Sequence, residues 1–246
     1  MRIKISLQSD NPVALDYQYP LQLRALIYRL LPPDYAERLH DIGFPYEKRR
    51  FKLFTFSRIF GKRIPSNKAV PKPLIFAPKI YFYLASPITN LLEYVANESI
   101  RRTELRLANN LLSLKAIEVE NEPIFQQQIK IKMLSPMAIR STLITAEGKK
   151  KSYYYNPYEN EFSTLMRKNL EKKYQLIFKN ELQGELEIIP LAKGKERILK
   201  GDHNFIIKAW DGIYELRGTP ELIQLSYSTG LGEKNSLGLG MWSELE

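Results

Sequence analysis

The sequence contains no cysteine, and its 246 residues include only two histidines and twelve glycines. The absence of thiols excludes disulfide bonds and thiolate metal sites. No apolar run reaches the roughly 18 residues that a membrane-spanning helix needs, and the N-terminal MRIKISLQSD lacks the apolar core of a signal peptide. We therefore expect a cytoplasmic protein that has no metal, no cofactor and no membrane association.

Acidic residues are missing from one long stretch of the chain. The whole sequence has a net charge of +10, and residues 48–92 contain ten basic residues and no acidic one. A basic segment of this kind indicates a polyanionic partner, and the aromatic residues that interrupt it are typical of surfaces that stack on single-stranded RNA. The RNA-binding candidates in this segment are Arg49, Arg50, Arg58, Lys62 and Arg63.

Apolar periodicity divides the first half of the chain into predicted strands and helices. Alternating residues predict strands at 2–8, 51–60 and 103–120, the last folded as a hairpin around Asn109 and Asn110. Residues 73–86 are expected to form a hairpin or two strand segments. Helical spacing is found at 21–31, 34–44 and 86–100, and Pro32-Pro33 separates the first two helices. The order β-α-β-β-α-β is that of a ferredoxin-like domain.

The second half of the chain partly repeats this pattern. Strands are predicted at 126–141, with a break at Ser135-Pro136, and at 184–192, 196–200 and 204–210, and helices are predicted at 156–178 and 219–230. We therefore predict an α+β fold with two tandem ferredoxin-like (βαββαβ) domains, at residues 1–122 and 123–246. A single split α+β domain is the alternative.

A glycine-rich loop precedes the last predicted strand. GLGEKNSLGLGMW, at residues 230–242, holds four of the twelve glycines. Glycine lets another chain approach the backbone closely, and unpaired N–H groups in such loops attract anions. The predicted RNA-backbone cradle consists of Gly232, Lys234, Asn235, Ser236, Gly238 and Gly240. The alternative is a tight connection into a strand, since the spacing matches no established phosphate loop.

A second basic and aromatic stretch lies in the C-terminal half. Three lysines, Lys149, Lys150 and Lys151, are followed closely by three consecutive tyrosines. This pattern predicts a β-hairpin that reaches along RNA, and the alternative is a solvated loop.

Several motifs, taken together, resemble one family. GLGEKNSLGLGMW is similar to the glycine-rich signature of the CRISPR repeat-processing endoribonucleases, the sixth CRISPR-associated protein family within the RAMP superfamily. ALIYRLL (25–31), RLHDIGF (38–44), KLFTFS (52–57) and SPMAIRS (135–141) also resemble family segments, in the same order. The resemblance implies two ferredoxin-like domains with the glycine loop near their junction. It also implies metal-independent cleavage within the repeat, in which a 2′-hydroxyl attacks the adjacent phosphate.

The same resemblance implies three catalytic residues, His40, Tyr28 and Lys52. A histidine suits proton transfer near neutral pH, and the alternative for His40 is a capping or surface role at the end of a short helix. Tyr28 would orient the 2′-hydroxyl or the phosphate, and otherwise is a half-buried helix aromatic. Lys52 would stabilise the pentavalent phosphate, unless Lys48 or one of its arginine neighbours replaces it.

The predicted partner is CRISPR repeat RNA, bound by a monomer or a homodimer. The alternative function is a non-catalytic RNA-binding RAMP subunit, whose further partners would be the subunits of a CRISPR effector complex. A ferredoxin-like module that binds a nucleotide or phosphoester is a third hypothesis, which the acid-free stretch disfavours. His203 in KGDHNF is expected to be an ordinary turn residue.

Overall fold

The computed structural model describes residues 1–65, 73–144, 147–200 and 206–245; His203 lies outside these residues. The N-terminal half contains, in chain order, β1 (Arg2–Gln8), β2 (Val13–Leu15), α1 (Tyr19–Arg29), α2 (Pro33–Asp41), β3 (Phe44–Tyr46), β4 (Arg49–Phe51), β5 (Thr55–Phe56), β6 (Phe60–Ile64), β7 (Leu74–Ala85), α3 (Thr89–Arg101), β8 (Leu105–Leu107) and β9 (Asn110–Val119).

Strand β1 lies at the centre of the N-terminal sheet. It pairs antiparallel with β7 on one side and β9 on the other, while β5 and β6 pair with β7. The order β6-β7-β1-β9 has α1 and α2 after β1 and α3 after β7, which is the ferredoxin-like arrangement. Ile3, Ile5 and Leu7 alternate into the core of this domain because successive strand residues face opposite sides of the sheet.

The C-terminal half contains β10 (Gln128–Met133), β11 (Arg140–Ile144), β12 (Lys150–Tyr154), α4 (Asn160–Phe178), β13 (Leu186–Pro190), β14 (Lys195–Lys200), β15 (Ile206–Asp211), β16 (Ile213–Gly218), α5 (Pro220–Thr229), a short 3₁₀ helix (Asn235–Leu237) and β17 (Trp242–Glu244). Its main sheet has the order β13-β16-β10-β17, which repeats that of the first domain. The prediction of two tandem ferredoxin-like domains is therefore confirmed. Residues 120–127 join the two main sheets, and the domain boundary between residues 122 and 123 stays a prediction.

Three sequence-based expectations differ from the structure. Residues 51–60 do not form one strand: Phe51 ends the separate two-stranded β3–β4 hairpin, and the chain enters the main sheet only at Thr55. Strand β7 is continuous over twelve residues and is neither a hairpin nor two segments. Strand β16 was not predicted, although Tyr214 and Leu216 alternate into the core of the C-terminal domain.

Contacts between the domains are polar as well as apolar. The guanidinium of the buried Arg2 donates a hydrogen bond to the carbonyl oxygen of Tyr227 and lies 3.6 Å from the centre of its ring. The Thr55 hydroxyl donates to the carbonyl oxygen of Leu239 at 2.9 Å. Both contacts fix the end of the C-terminal domain against the N-terminal sheet. Among the described residues, no helix has the length and apolarity required to cross a bilayer.

Candidate functional site

Tyr28 and His40 meet at the junction of α1 and α2. The prolines at 32 and 33 interrupt the helical path between them, so that α2 folds back beside the end of α1. The ring centroids of Tyr28 and His40 lie 5.8 Å apart, and the ring planes are inclined by 81°. The structure therefore brings together two of the three predicted catalytic side chains.

Asp41 orients the imidazole of His40. The Nδ1 atom of His40 lies 2.8 Å from Oδ1 of Asp41, and both side chains are more than half exposed. In a neutral imidazole whose Nδ1–H donates to a carboxylate, Nε2 is the proton acceptor. The geometry thus presents Nε2 of His40 as a solvent-accessible base.

The hydroxyl of Tyr28 is unsuited to act as a base. Its ring packs edge-on against Phe54, with centroids 5.9 Å apart, and burial raises the pKa of Tyr28 to about 12. At neutral pH the hydroxyl is protonated and serves as a hydrogen-bond donor.

The hairpin of β3 and β4 brings Lys52 to the end of α2. Phe44 pairs with Phe51, so the chain returns to its starting point just before Lys52. The ammonium group donates hydrogen bonds to the carbonyl oxygens of Leu39 and His40. Cations at this position satisfy the last carbonyls of a helix. Lys52 therefore lies beside the backbone of His40, and burial, reinforced by the charge of Arg50, lowers its pKa.

A cleft of about 760 Å³ runs between the domains next to this cluster. Among the described residues that line it, eight are basic and one, Glu233, is acidic. The predicted site residues that line the cleft are Arg49, Arg50, Lys52, Lys234, Asn235 and Ser236, together with Lys48. A smaller cavity of about 430 Å³ lies beside Tyr28 and His40, and Arg24 lines both cavities.

Other predicted RNA-binding residues lie outside the cleft lining. The guanidinium of Arg58 contacts Oδ2 of Asp211 at 2.7 Å and the carbonyl oxygen of Met133 at 3.1 Å, so this side chain links the domains. Lys62 and Arg63 lie on β6, and Arg63 stacks on the ring of Phe76.

The lysine-rich stretch forms the predicted hairpin. Strands β11 and β12 pair antiparallel from Arg140–Tyr154 to Ile144–Lys150. Lys150 and Lys151 lie on β12, and Lys149, in the turn, forms an ion pair with Glu147 at 3.2 Å. The hairpin is confirmed, and its contact with RNA stays a prediction.

The glycines of the 230–242 loop pack closely against atoms of the protein itself. Gly232, Gly238 and Gly240 are buried and have φ near +71°, +77° and +84°. A Cβ at Gly238 would lie 2.4 Å from the ring of Phe56, and one at Gly240 would lie 2.1 Å from the carbonyl oxygen of Leu231. A Cβ at Gly232 would meet the carbonyl oxygen of Ala138 at 2.2 Å. Glycine is required here because protein atoms already occupy the space that a side chain would need, and contact of these glycines with RNA stays a prediction.

Asn235 has a structural role within the loop, and its contact with RNA stays a prediction. Its amide nitrogen donates to the carbonyl oxygens of Leu231 and Leu239 at 3.1 and 3.0 Å. Its Oδ1 accepts a hydrogen bond from the ammonium of Lys173 at 2.8 Å. The side chain therefore joins the start and the end of the loop by hydrogen bonds. Ser236 and Lys234 remain on the cleft wall.

Four residues of the site were missed by sequence reasoning. Asp41 follows His40 directly, and Arg24 lies one helical turn before Tyr28, so both could have been found from their spacing. Arg140 lies within SPMAIRS, and its Nε lies 2.9 Å from Oε1 of Glu233. Burial raises the pKa of Glu233. Lys173 is buried on α4 next to the glycine loop.

Among the described residues, no group of three histidine or carboxylate side chains is arranged to hold a metal ion. The charges at this site are instead cationic side chains on either side of the cleft. The arrangement provides a base, a hydroxyl donor and positive charge within one region, which suits proton transfer and phosphate binding.

Comparison with known proteins identifies the family to which this chain belongs. A sequence model of the N-terminal part of the CRISPR-associated protein Cas6 matches residues 13–118, and a model of its C-terminal part matches residues 119–244. The chain is 30% identical over 249 residues to the CRISPR-associated endoribonuclease Cas6 of Pyrococcus furiosus, an alignment that covers 98% of this chain and 89% of the relative.

A second relative and a solved structure indicate the same family. The chain is 29% identical over 252 residues to the CRISPR-associated endoribonuclease Cas6 1 of Methanocaldococcus jannaschii, covering 100% of this chain and 93% of that protein. A solved structure described as a CRISPR associated protein Cas6 has a TM-score of 0.82 and 27% identity, with 100% and 99% of the two chains covered. Since the two family models together span residues 13–244, this chain belongs to the Cas6 family of CRISPR-associated proteins.

Proposed function

We propose that this protein is a metal-independent endoribonuclease that cuts CRISPR precursor transcripts within the repeat to give guide RNAs. The names of its relatives support RNA cleavage, and the cluster of Tyr28, His40 and Lys52 provides groups for the chemistry. The basic cleft supports binding of an RNA strand beside that cluster, because an excess of cationic side chains attracts a polyanion.

In the proposed reaction, Nε2 of His40 takes the proton of a 2′-hydroxyl. The resulting oxygen attacks the adjacent phosphorus, and the bond from phosphorus to the 5′-oxygen breaks. The 5′-oxygen takes a proton from water, which has access because the His40 side chain is 63% exposed. The products are a 2′,3′-cyclic phosphate and a 5′-hydroxyl.

Tyr28 and the cations act on the phosphate. The protonated hydroxyl of Tyr28 donates a hydrogen bond to a phosphate oxygen or to the attacking 2′-oxygen. Lys52 has two of its three N–H donors bound to the carbonyl oxygens at the end of α2, so its third donor and its charge are what it offers to the phosphorane. Arg24 lines both the cleft and the cavity beside His40, and it would neutralise a phosphate between the two.

The observation that carries the proposal is the His40–Asp41 contact of 2.8 Å next to the Tyr28 ring. A surface histidine has no need of a carboxylate that fixes its tautomer, whereas a general base does.

The test is cleavage of a synthetic repeat RNA by the purified protein in the presence of a chelator. We expect one cut per repeat, with a cyclic phosphate on the upstream product, and no cut when the nucleotide at the scissile site carries a 2′-deoxy substitution. A cut in the deoxy substrate would mean that water is the nucleophile. Binding without any cut would favour the non-catalytic RAMP subunit.

A further inference from the structure

Lys173 occupies an apolar position on a helix. Phe162, Met166, Asn169 and Lys173 follow one another at spacings of four, three and four residues, and all four are buried. Residues at this spacing share one face of a helix, and this face of α4 packs into the C-terminal core. Lys173 is 1% exposed, which is rare for a lysine because burial of a charge is costly.

The ammonium group of Lys173 binds three neutral oxygens of the glycine-rich loop. It donates to the carbonyl oxygens of Gly230 and Gly232 at 2.7 and 3.0 Å, and to Oδ1 of Asn235 at 2.8 Å. An ammonium has three donors, so all of them are used. Although Lys173 borders the cleft, it has no donor left for RNA.

Asn235 links the part of the loop that Lys173 binds to the part that contacts the N-terminal domain. Its amide nitrogen donates to the carbonyl oxygens of Leu231 and Leu239, which lie near the start and the end of the glycine-rich loop. The carbonyl oxygen of Leu239 also accepts the hydrogen bond from Thr55 in the N-terminal domain. Gly238, which directly precedes Leu239, lies so close to the ring of Phe56 that a side chain would not fit between them.

Strand β5 receives these contacts, and Phe54, which directly precedes this strand, extends them to the catalytic cluster. Phe54 precedes Thr55, packs against Tyr28 and stacks on Phe56. Tyr28 in turn contacts His40. Residues in direct contact therefore connect the buried lysine of α4 to the candidate base.

We propose that Lys173 is a positioning residue for the cleavage reaction: it holds the glycine-rich loop against β5, and thereby fixes Phe54, Tyr28 and His40 in their reactive arrangement. This inference rests on the proposed function. Lys173 acts through the loop and touches neither the substrate nor the reacting atoms.

The experiment compares Lys173→Met with Lys168→Met, which removes a charge from an exposed position on the same helix. The first measurement needs no RNA: it is hydrogen exchange of the loop amides of Leu239 and Gly240, which bond within the protein. We expect Lys173→Met to lose protection at these amides, while Lys168→Met keeps it.

The second measurement is the single-turnover rate of cleavage at saturating repeat RNA, together with RNA affinity. We expect Lys173→Met to cut at least about tenfold more slowly, because small misplacements of reacting groups have large effects on rate. RNA affinity should change less than about threefold, since Lys173 offers RNA no donor. A wild-type rate in folded Lys173→Met, or an equal loss in Lys168→Met, would overturn the proposal.

The hydrogen bonds of Lys173 and Asn235 to the loop form one latch, and Asn235→Ala tests this latch from the loop side. It should slow cleavage in the same way, and the double variant should be no slower than the worse single variant, because both changes break one unit. Additive losses would contradict the latch. If Lys173→Met does not fold, Asn235→Ala carries the test alone. If the wild-type protein does not cut repeat RNA, the proposed function has failed, whereas unchanged loop exchange in the variants is the failure of the latch itself.

Discussion

The ring of Tyr28 contacts that of His40 edge-on, with centroids 5.8 Å apart, although the two residues lie on different helices. This contact holds the imidazole from one side while Asp41 holds Nδ1 from the other. A base restrained in two directions presents Nε2 to a substrate with little loss of conformational freedom.

His40→Ala should abolish most cleavage and preserve RNA binding. General acid–base catalysis typically contributes 10²–10⁴-fold, so we expect the single-turnover rate to fall by about that factor. The side chain is exposed, and its removal should leave the fold intact. The measurement is the rate on one repeat RNA together with the dissociation constant. An unchanged rate would remove His40 from the mechanism.

Tyr28→Phe removes the hydroxyl and keeps the aromatic ring, so it tests the contribution of the hydroxyl alone. The ring contacts with Phe54 and His40 are kept, so thermal unfolding should change little. A hydrogen bond to a charged oxygen contributes about 1.5 kcal/mol or somewhat more, which predicts a rate loss of about tenfold. Because the pKa of Tyr28 is raised to about 12, the pH–rate profile between pH 6 and 9 should keep its shape. A changed profile would show that Tyr28 transfers a proton.

Arg49 and Arg50 should contribute strongly to the salt dependence of RNA binding. Both line the cleft, and single-stranded nucleic acid gives a slope of about −0.7 for each phosphate neutralised. The Arg49→Ala, Arg50→Ala variant should flatten the plot of log affinity against log salt by roughly one unit or more. The matched control is Arg101→Ala with Lys168→Ala, which removes two exposed charges outside the cleft lining. Equal slopes in both variants would place the RNA elsewhere.

Gly238→Ala should lower stability without weakening RNA binding by the folded protein. Gly238 and Gly148 have similar φ values of +77° and +74°, but a Cβ at Gly238 would meet Phe56 at 2.4 Å, whereas nothing lies within 4 Å of one at Gly148. Both substitutions cost about 1 kcal/mol for the left-handed backbone, and crowding at Gly238 should add about 1–3 kcal/mol. The difference between the two unfolding free energies measures the contact with Phe56. Weakened RNA binding by a well-folded Gly238→Ala variant would instead support the predicted contact of the loop with RNA.

Most of the strand and helix order could be predicted from the sequence because the apolar periods are regular. Ile3, Ile5 and Leu7 alternate in β1, and the helix of α4 shows clear helical spacing. Strand β16 was missed although Tyr214 and Leu216 alternate within it. It is short, and charged residues at 215 and 217 share it with the apolar ones, so the local pattern is weak.

The candidate site was only partly predictable, since its geometry depends on tertiary contacts. Spacing cannot show that the chain between Tyr28 and His40 folds back on itself, or that the hairpin returns Lys52 to the end of α2. The glycines of the terminal loop look open in sequence, but Phe56 and backbone oxygens fill the space beside them. Lys173, by contrast, could have been found, because helical spacing from Phe162 and Met166 places it on the apolar face.

The buried Lys173 should make stability rise with pH above neutrality. Burial lowers its pKa to about 7, while in the unfolded chain the pKa returns to about 10.4. Between these values the unfolded state binds more protons than the folded state, so the free energy of unfolding increases with pH, by up to about 1.4 kcal/mol per pH unit. The stabilisation is absent below pH 7, where both states are protonated. Urea unfolding of the wild-type protein and of Lys173→Met at pH 6.5, 7.5 and 8.5 gives the comparison, and Lys168→Met controls for the loss of charge. The wild-type protein and Lys168→Met should share the upward slope that Lys173→Met lacks. Parallel curves for all three proteins would mean that Lys173 keeps an ordinary pKa in its site, held there by the three oxygens that it contacts.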